Sequence, residues 1–119
     1  MDFTNGVPIY IQIAKSIKEK IALGQMKPGD KVPSIREIAS MYKVNPNTVQ
    51  RSTQILEEEN IIYSKRGIGS FVVEDEKLIQ SLKNNLANEY REAFLANMAK
   101  IGVDRKQALA FLMEEENGR

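Results

Sequence analysis

The stretch that decides the fold runs Ser34-Ile35-Arg36-Glu37-Ile38-Ala39-Ser40-Met41-Tyr42-Lys43-Val44-Asn45-Pro46-Asn47-Thr48-Val49. Its first four residues fit a capping box, in which the Ser34 hydroxyl accepts the Glu37 N–H and the Glu37 carboxylate accepts the Ser34 N–H. Ile35, Ile38, Ala39 and Tyr42 recur at helical spacing and supply the buried face of a helix of about nine residues. Val44 ends it. Asn45 then caps a second helix, with Pro46 at the first helical position, where the missing N–H costs nothing. Two helices joined by about three residues have the spacing of a helix-turn-helix. The second is predicted from Pro46 to about Glu59, burying Val49, Ser52, Thr53 and Leu56, with Asn60 as a left-handed terminator.

On the N-terminal side, Ile9, Ile13, Ile17 and Ile21 form one apolar stripe among Lys15, Lys18, Glu19 and Lys20. A helix over about 8–23 follows, begun at Pro8 and closed at Gly24. Lys27-Pro28-Gly29-Asp30 reads as a turn, and Lys31-Val32-Pro33 leaves room only for a very short strand. On the C-terminal side, Ile61–Ser64 and Ser70–Val73 are two β-rich runs around Lys65-Arg66-Gly67-Ile68-Gly69, which makes a hairpin. Three helices and a basic-tipped hairpin give a winged helix-turn-helix over residues 1–74.

From Asp75 the periodicity is helical again. Leu78, Ile79, Leu82, Leu86, Tyr90, Ala93, Phe94 and Ile101 fall on one face of a helix of about 27 residues. Gly102 breaks it, and Asp104 with Gln107 starts another as cap and returning side chain. The expected class is therefore α+β, mainly α with a small β-hairpin wing, followed by a two-helix tail over 75–119.

Composition removes other classes. The 119 residues contain no Cys, His or Trp. A disulfide framework, a thiolate zinc site and His-dependent hydrolysis are thereby excluded, and no metal or cofactor is expected. No run approaches the roughly 18–20 apolar residues of a membrane span, and the opening residues carry no basic-then-apolar leader, so a soluble cytoplasmic protein is expected. Charge balances at 17 Lys+Arg against 16 Asp+Glu, but residues 1–73 hold ten basic and seven acidic side chains and the remainder seven and nine. Carboxylate pairs such as Glu57-Glu58 diverge around a helix axis and do not converge on a substrate, so an enzyme is not expected.

Asn45, Asn47, Thr48, Gln50 and Arg51 place amide, hydroxyl and guanidinium groups in the opening turns of the second helix of the pair. Such groups read base edges or hold phosphates; Asn45 and Thr48 could equally serve only as caps. Arg36 lies in the first turn of the preceding helix, where it either meets DNA or pairs with Glu37. Lys65, Arg66 and Gly67 at the hairpin tip suit a phosphate backbone or a minor groove, or simply solvation.

Four segments together, Pro8–Ile13, Pro28–Ala39, Val44–Val49 and Arg66–Val72, resemble in order and spacing the DNA-binding domain of GntR-family bacterial transcriptional regulators. The resemblance implies that contacts come from Ser34 and Arg36, from the start of the third helix, and from the wing at Lys65, Arg66 and Gly67. The sequence departs from the family at Val32, where Leu is usual, at Asn60, where Gly is usual, and at Ser52-Thr53, where Ala and an aromatic are common. The short tail resembles that of the YtrA subfamily, which implies dimerisation.

The long apolar face agrees, since little in the chain is available to cover it. Leu78, Leu82, Leu86, Tyr90 and Phe94 are the expected dimer interface, although packing back onto the winged domain is the alternative. The resulting reading is a homodimeric, sequence-specific repressor of a pseudo-palindromic double-stranded DNA operator. Its rival is a winged-helix protein-interaction module without sequence-specific DNA binding. Whether a small-molecule effector exists is unknown; a site at the seam of tail and winged domain would draw on Tyr90, Phe94 and Asn97.

Overall fold

The computed structural model describes Phe3 and residues 5–114. In chain order it runs α1 (Ile9–Leu23), α2 (Ile35–Tyr42), α3 (Pro46–Glu58), β1 (Ile62–Lys65), β2 (Gly69–Val72), α4 (Glu76–Lys100) and α5 (Arg105–Met113). This is the α+β winged helix-turn-helix expected from the sequence, followed in the chain by two further helices.

Helix α1 buries Ile13, Ala14, Ile17 and Ile21, whereas Ile9, the first residue of the expected stripe, is exposed. Pro8 stands one position earlier than expected. Its ψ of 139° is extended, so it is the N-cap, and its carbonyl accepts from Ile11 and Gln12. Gly24 closes the helix at φ 88°, the left-handed region open to a residue without Cβ. Helix α3 buries Val49, Ser52, Thr53 and Leu56 as the pattern predicts. It packs on both α1 and α2. Two polar ties hold α1 to α3: the Ser52 hydroxyl donates to the Tyr10 carbonyl at 2.7 Å, and Lys18 Nζ meets a Glu59 carboxylate oxygen at 2.8 Å. Helix α2 presents Ile38 and Ala39 to the core. Tyr42 is half-buried and its hydroxyl shares a hydrogen bond with that of Ser16 at 2.8 Å.

Asn60 does adopt the left-handed conformation, with φ 60°. The N–H of Ile61 is consumed by the Leu56 carbonyl at the end of α3, so β1 begins one residue later than the β-rich run. Strands β1 and β2 pair antiparallel, Ile62 opposite Val72 and Lys65 opposite Gly69. Lys31 adds a single bridge to Phe71, and Val32 N–H donates to the Ser70 carbonyl at 2.8 Å, which fastens the segment before α2 to the wing. The core of Val32, Ile38, Val49, Leu56, Ile61, Ile62 and Val72 lies among these elements.

The chain divides into two compact units, 1–83 and 84–119. Helix α4 runs through the division, so its first two turns belong with the winged unit. The Asp75 carboxylate accepts from Lys77 and Leu78 N–H at its start. Gly102 ends the run at φ 79°, and Asp104 and Gln107 complete the second capping box, at 2.8 and 2.9 Å.

The expected apolar face of α4 is not uniformly open. Leu82 and Leu86 are 6% and 5% exposed in the single chain, Leu78 and Phe94 are half-buried, and only Tyr90 of the five expected interface residues is exposed. Periodicity identifies the face but not what covers it. The apolar residues left open in the second unit lie largely on α5: Leu109, Phe111, Leu112 and Met113.

Candidate nucleic-acid interface

Local chemistry fixes the opening of α2. Ser34 Oγ accepts the Glu37 N–H at 3.1 Å and Glu37 Oε1 accepts the Ser34 N–H at 2.9 Å. The Ser34 N–H, donating to the carboxylate, and after it the Ser34 side chain hold the Glu37 carboxyl below its usual range, and the nearby Lys31 ammonium adds to the same effect. Glu37 is therefore committed to the cap. Arg36 sits in the turn so formed and its side chain is exposed.

A cleft of about 470 Å³ opens beside it. Ser34, Ile35, Arg36 and Glu37 form one wall, Thr53 and Glu57 of α3 the floor, and Ser64, Ile68, Gly69 and Ser70 of the wing the other wall. The fold thus brings the start of α2 and the wing, which are far apart in sequence, to two sides of one depression. Lys31, Val32 and Pro33 complete it. Lys31 is the functional candidate that reading the sequence missed: it stood only in a very short strand. The bridge to Phe71 is what carries it to the cleft, and nothing local to Lys31 signals that pairing.

The start of α3 presents the second group. Asn45 Oδ1 accepts the Asn47 N–H at 2.8 Å, so Asn45 shapes the helix start while its amide nitrogen offers donors to a ligand. Asn47, Gln50 and Arg51 are exposed, and Thr48 is half-buried. Arg51 is not a loose side chain: its guanidinium carbon lies 3.9 Å from the centre of the Tyr10 ring. A guanidinium at that distance over an aromatic face is attracted by the ring quadrupole and keeps its edge donors available.

At the wing, Tyr63 and Phe71 stack with ring centres 5.9 Å apart. Lys65 Nζ lies 4.8 Å over the Phe71 ring and 5.9 Å over that of Tyr63. Lys65 is therefore the last strand residue, held against the sheet rather than out at the tip. Arg66 and Gly67 make the tip, where Gly67 at φ 78° lets the Ile68 N–H donate to the Lys65 carbonyl at 2.9 Å. Both tip residues are exposed.

Among the described residues, no group of His, Cys, Asp or Glu side chains could hold a metal ion, and no helix is long and apolar enough to cross a membrane. Beside the Glu37 and Glu57 carboxylates, the exposed polar chemistry of this region includes guanidinium, ammonium, amide and hydroxyl groups around a helix N-terminus. Such a set holds phosphates and reads base edges.

Comparison with known proteins agrees. The model of the family described as bacterial regulatory proteins, gntR family, matches residues 9–72. The HTH-type transcriptional repressor YtrA of Bacillus subtilis (strain 168) is 46% identical over 77 residues, 65% of this chain and 59% of YtrA. A solved GntR family transcriptional regulator from Listeria monocytogenes is 38% identical, with a TM-score of 0.83 over 96% of this chain and 100% of that one. The structure of AraR(DBD) in complex with operator ORX1 matches 60% of this chain and 93% of that chain, at 26% identity and a TM-score of 0.57.

Proposed function

Since the chain belongs to the gntR family of bacterial regulatory proteins and is a DNA-binding transcriptional regulator, we propose that it is a YtrA-like repressor, acting in the cytoplasm as a homodimer on a two-fold-related operator. In this reading α3 enters the major groove. Asn47, Thr48, Gln50 and Arg51 meet base edges and neighbouring phosphates, and Asn45 sets the helix start. Ser34 and Arg36 hold the backbone on one side of the cleft, and Lys65, Arg66 and Gly67 hold it on the other. The tail, 75–119, pairs two chains, so that the two recognition helices reach successive turns of the duplex.

The observation that carries the proposal is the cleft in which the start of α2 faces the wing beside α3. Lys31 and Arg36 at this cleft, with Lys65 and Arg66 on the adjoining hairpin, put positive charge beside the recognition helix, which suits a duplex whose backbones rise on both sides of the groove. Repression fits a chain whose binding surface covers promoter DNA and accords with YtrA being a transcriptional repressor. The decisive experiment is selection of bound duplexes from a random pool by the purified full chain. A recovered inverted repeat, bound with an affinity that falls steeply with salt, is the expected result. Recovery of no preferred sequence, with binding indifferent to salt, would refute it in favour of a protein-interaction module.

A further inference from the structure

The short segment before α2 is fixed more firmly than its length suggests. Gly29 N–H donates to the Val72 carbonyl at 2.9 Å, Val72 N–H to the Asp30 carbonyl at 2.8 Å, and Val32 N–H to the Ser70 carbonyl at 2.8 Å. Residues 29–32 therefore lie along β2 on the side away from β1, with Lys31 opposite Phe71. Val32 turns into the core at 3% exposure. Lys31, one residue earlier, turns the other way and is exposed.

Opposed residues of an antiparallel pair share a face, as do residues two apart on one strand. Lys31, Phe71 and Gly69 thus stand on one face, and the lysine stem runs diagonally across the glycine. A Cβ on Gly69 would lie 2.9 Å from Lys31 Cε and 3.7 Å from Nζ. A side chain at 69 would take the place that the stem occupies. The backbone there, at φ 138°, is also one that side chains other than glycine's rarely permit.

This course makes Lys31 part of the cleft that Ser34 and Arg36 also line. Lys31 makes no ion pair with a described residue, and the carboxylate of Glu37 already accepts the Ser34 N–H at 2.9 Å. The Ser34 hydroxyl, which accepts from Glu37 N–H, keeps its proton free to donate. An ammonium is a compact charge with three rotatable donors, which suits a phosphate oxygen better than the fixed pattern of a base edge.

We propose that Lys31 is a further DNA-contact residue, binding a backbone phosphate at this cleft together with Arg36, and that Gly69 is a positioning residue whose missing side chain gives the lysine stem its path. The proposal rests on the DNA-binding reading above and deepens it, since that reading assigns the backbone beside α2 to Ser34 and Arg36.

The test needs no operator, because a phosphate contact carries no sequence information. Binding of the full-length parent, K31M, K31R, G69A and G69A/K31M to a mixed-sequence duplex is titrated over a range of salt concentrations, with the melting temperature of each protein measured alongside. Each neutralised phosphate contributes about 0.9 to the slope of log affinity against log salt. K31M keeps the stem and removes the charge, so its slope should be shallower than the parent's by about 0.9, while K31R keeps the parent slope. A lysine that only steadied the wing would change affinity and melting but not slope. That outcome overturns the proposal, as does a K31M indistinguishable from the parent or a K31R as shallow as K31M. G69A should lose the same increment as K31M, and the double variant no more than K31M alone. Backbone strain at 69 is present in both backgrounds and cancels in this comparison. G69A with the parent slope, or a further loss of slope in the double variant, would overturn the role given to Gly69. A parent chain whose own binding is indifferent to salt would instead refute the DNA-binding reading, a result distinct from the loss of one increment.

Discussion

The Arg51 guanidinium lies over the face of Tyr10, 3.9 Å from the ring centre, so a base-reading candidate on α3 is held in place by a residue of α1. The same residue is pinned a second time, because its carbonyl accepts the Ser52 hydroxyl at 2.7 Å. An arginine restrained before binding loses less side-chain entropy when it meets a base. Arg51→Ala should lower operator affinity by about 1–3 kcal/mol. Tyr10→Leu, which leaves the carbonyl in place, should lower it by about 0.5–1 kcal/mol. A double-mutant cycle on operator affinity should show the two losses to be coupled. Strictly additive losses would mean that the ring does not act through the guanidinium.

The wing separates two roles that look alike in sequence. Lys65 lies against Phe71 and Tyr63, while Arg66 is at the exposed tip. Arg66→Ala should weaken specific and non-specific duplexes about equally and reduce the slope of log affinity against log salt by about 1. Titrations at four or more salt concentrations measure this. A change in sequence preference without a change in slope would assign Arg66 to base reading instead.

Much of this arrangement was legible because its causes are local. Both capping boxes, the left-handed Asn60 and the buried set of α3 each depend on residues within a few positions of one another, and all stand as the spacing predicts. The misreadings occur where a partner distant in sequence decides. Ile61 has the β propensity of a strand residue but gives its N–H to Leu56. Lys31 reaches the cleft through Phe71, forty residues away in chain order. Leu82 and Leu86 share a stripe with Tyr90, yet the first two are buried and the third is open. Of the site itself, residue types and the helix start could be read from sequence, whereas the Tyr10 platform and the Lys65 contact depend on packing.

Acid should loosen α2 through one identifiable group. The Glu37 carboxyl is held below its usual range by its bonds to Ser34. Its folded pKa being depressed, its contribution is fully present above the ordinary carboxylate range and disappears as pH falls through the lowered value. Glu37→Gln keeps an acceptor for the Ser34 N–H but removes the titration. Melting temperatures followed from pH 7 to pH 2 should therefore fall less steeply in Glu37→Gln than in the parent chain. Parallel curves would mean that the cap carboxylate is not linked to stability.

Ser52 is the fully buried polar residue that ties α3 to α1. Its hydroxyl donates to the Tyr10 carbonyl at 2.7 Å and lies 3.2 Å from that of Thr48 on its own helix. The i−4 contact is available in any helix; the bond to Tyr10 exists only when α1 is docked. Ser52→Ala removes both and fits the space without a new clash, so the cost comes from the lost tie and from desolvating a carbonyl that has one acceptor site unfilled. The expected loss is about 1–2 kcal/mol in urea unfolding of the full chain, with an unchanged denaturant slope. Because the tie also steadies the Tyr10 backbone beneath Arg51, operator affinity should fall as well, by less than in Tyr10→Leu. Unfolding free energy equal to that of the parent chain would show that the hydroxyl is dispensable, and the α1–α3 contact would then rest on its apolar residues and the Lys18–Glu59 ion pair.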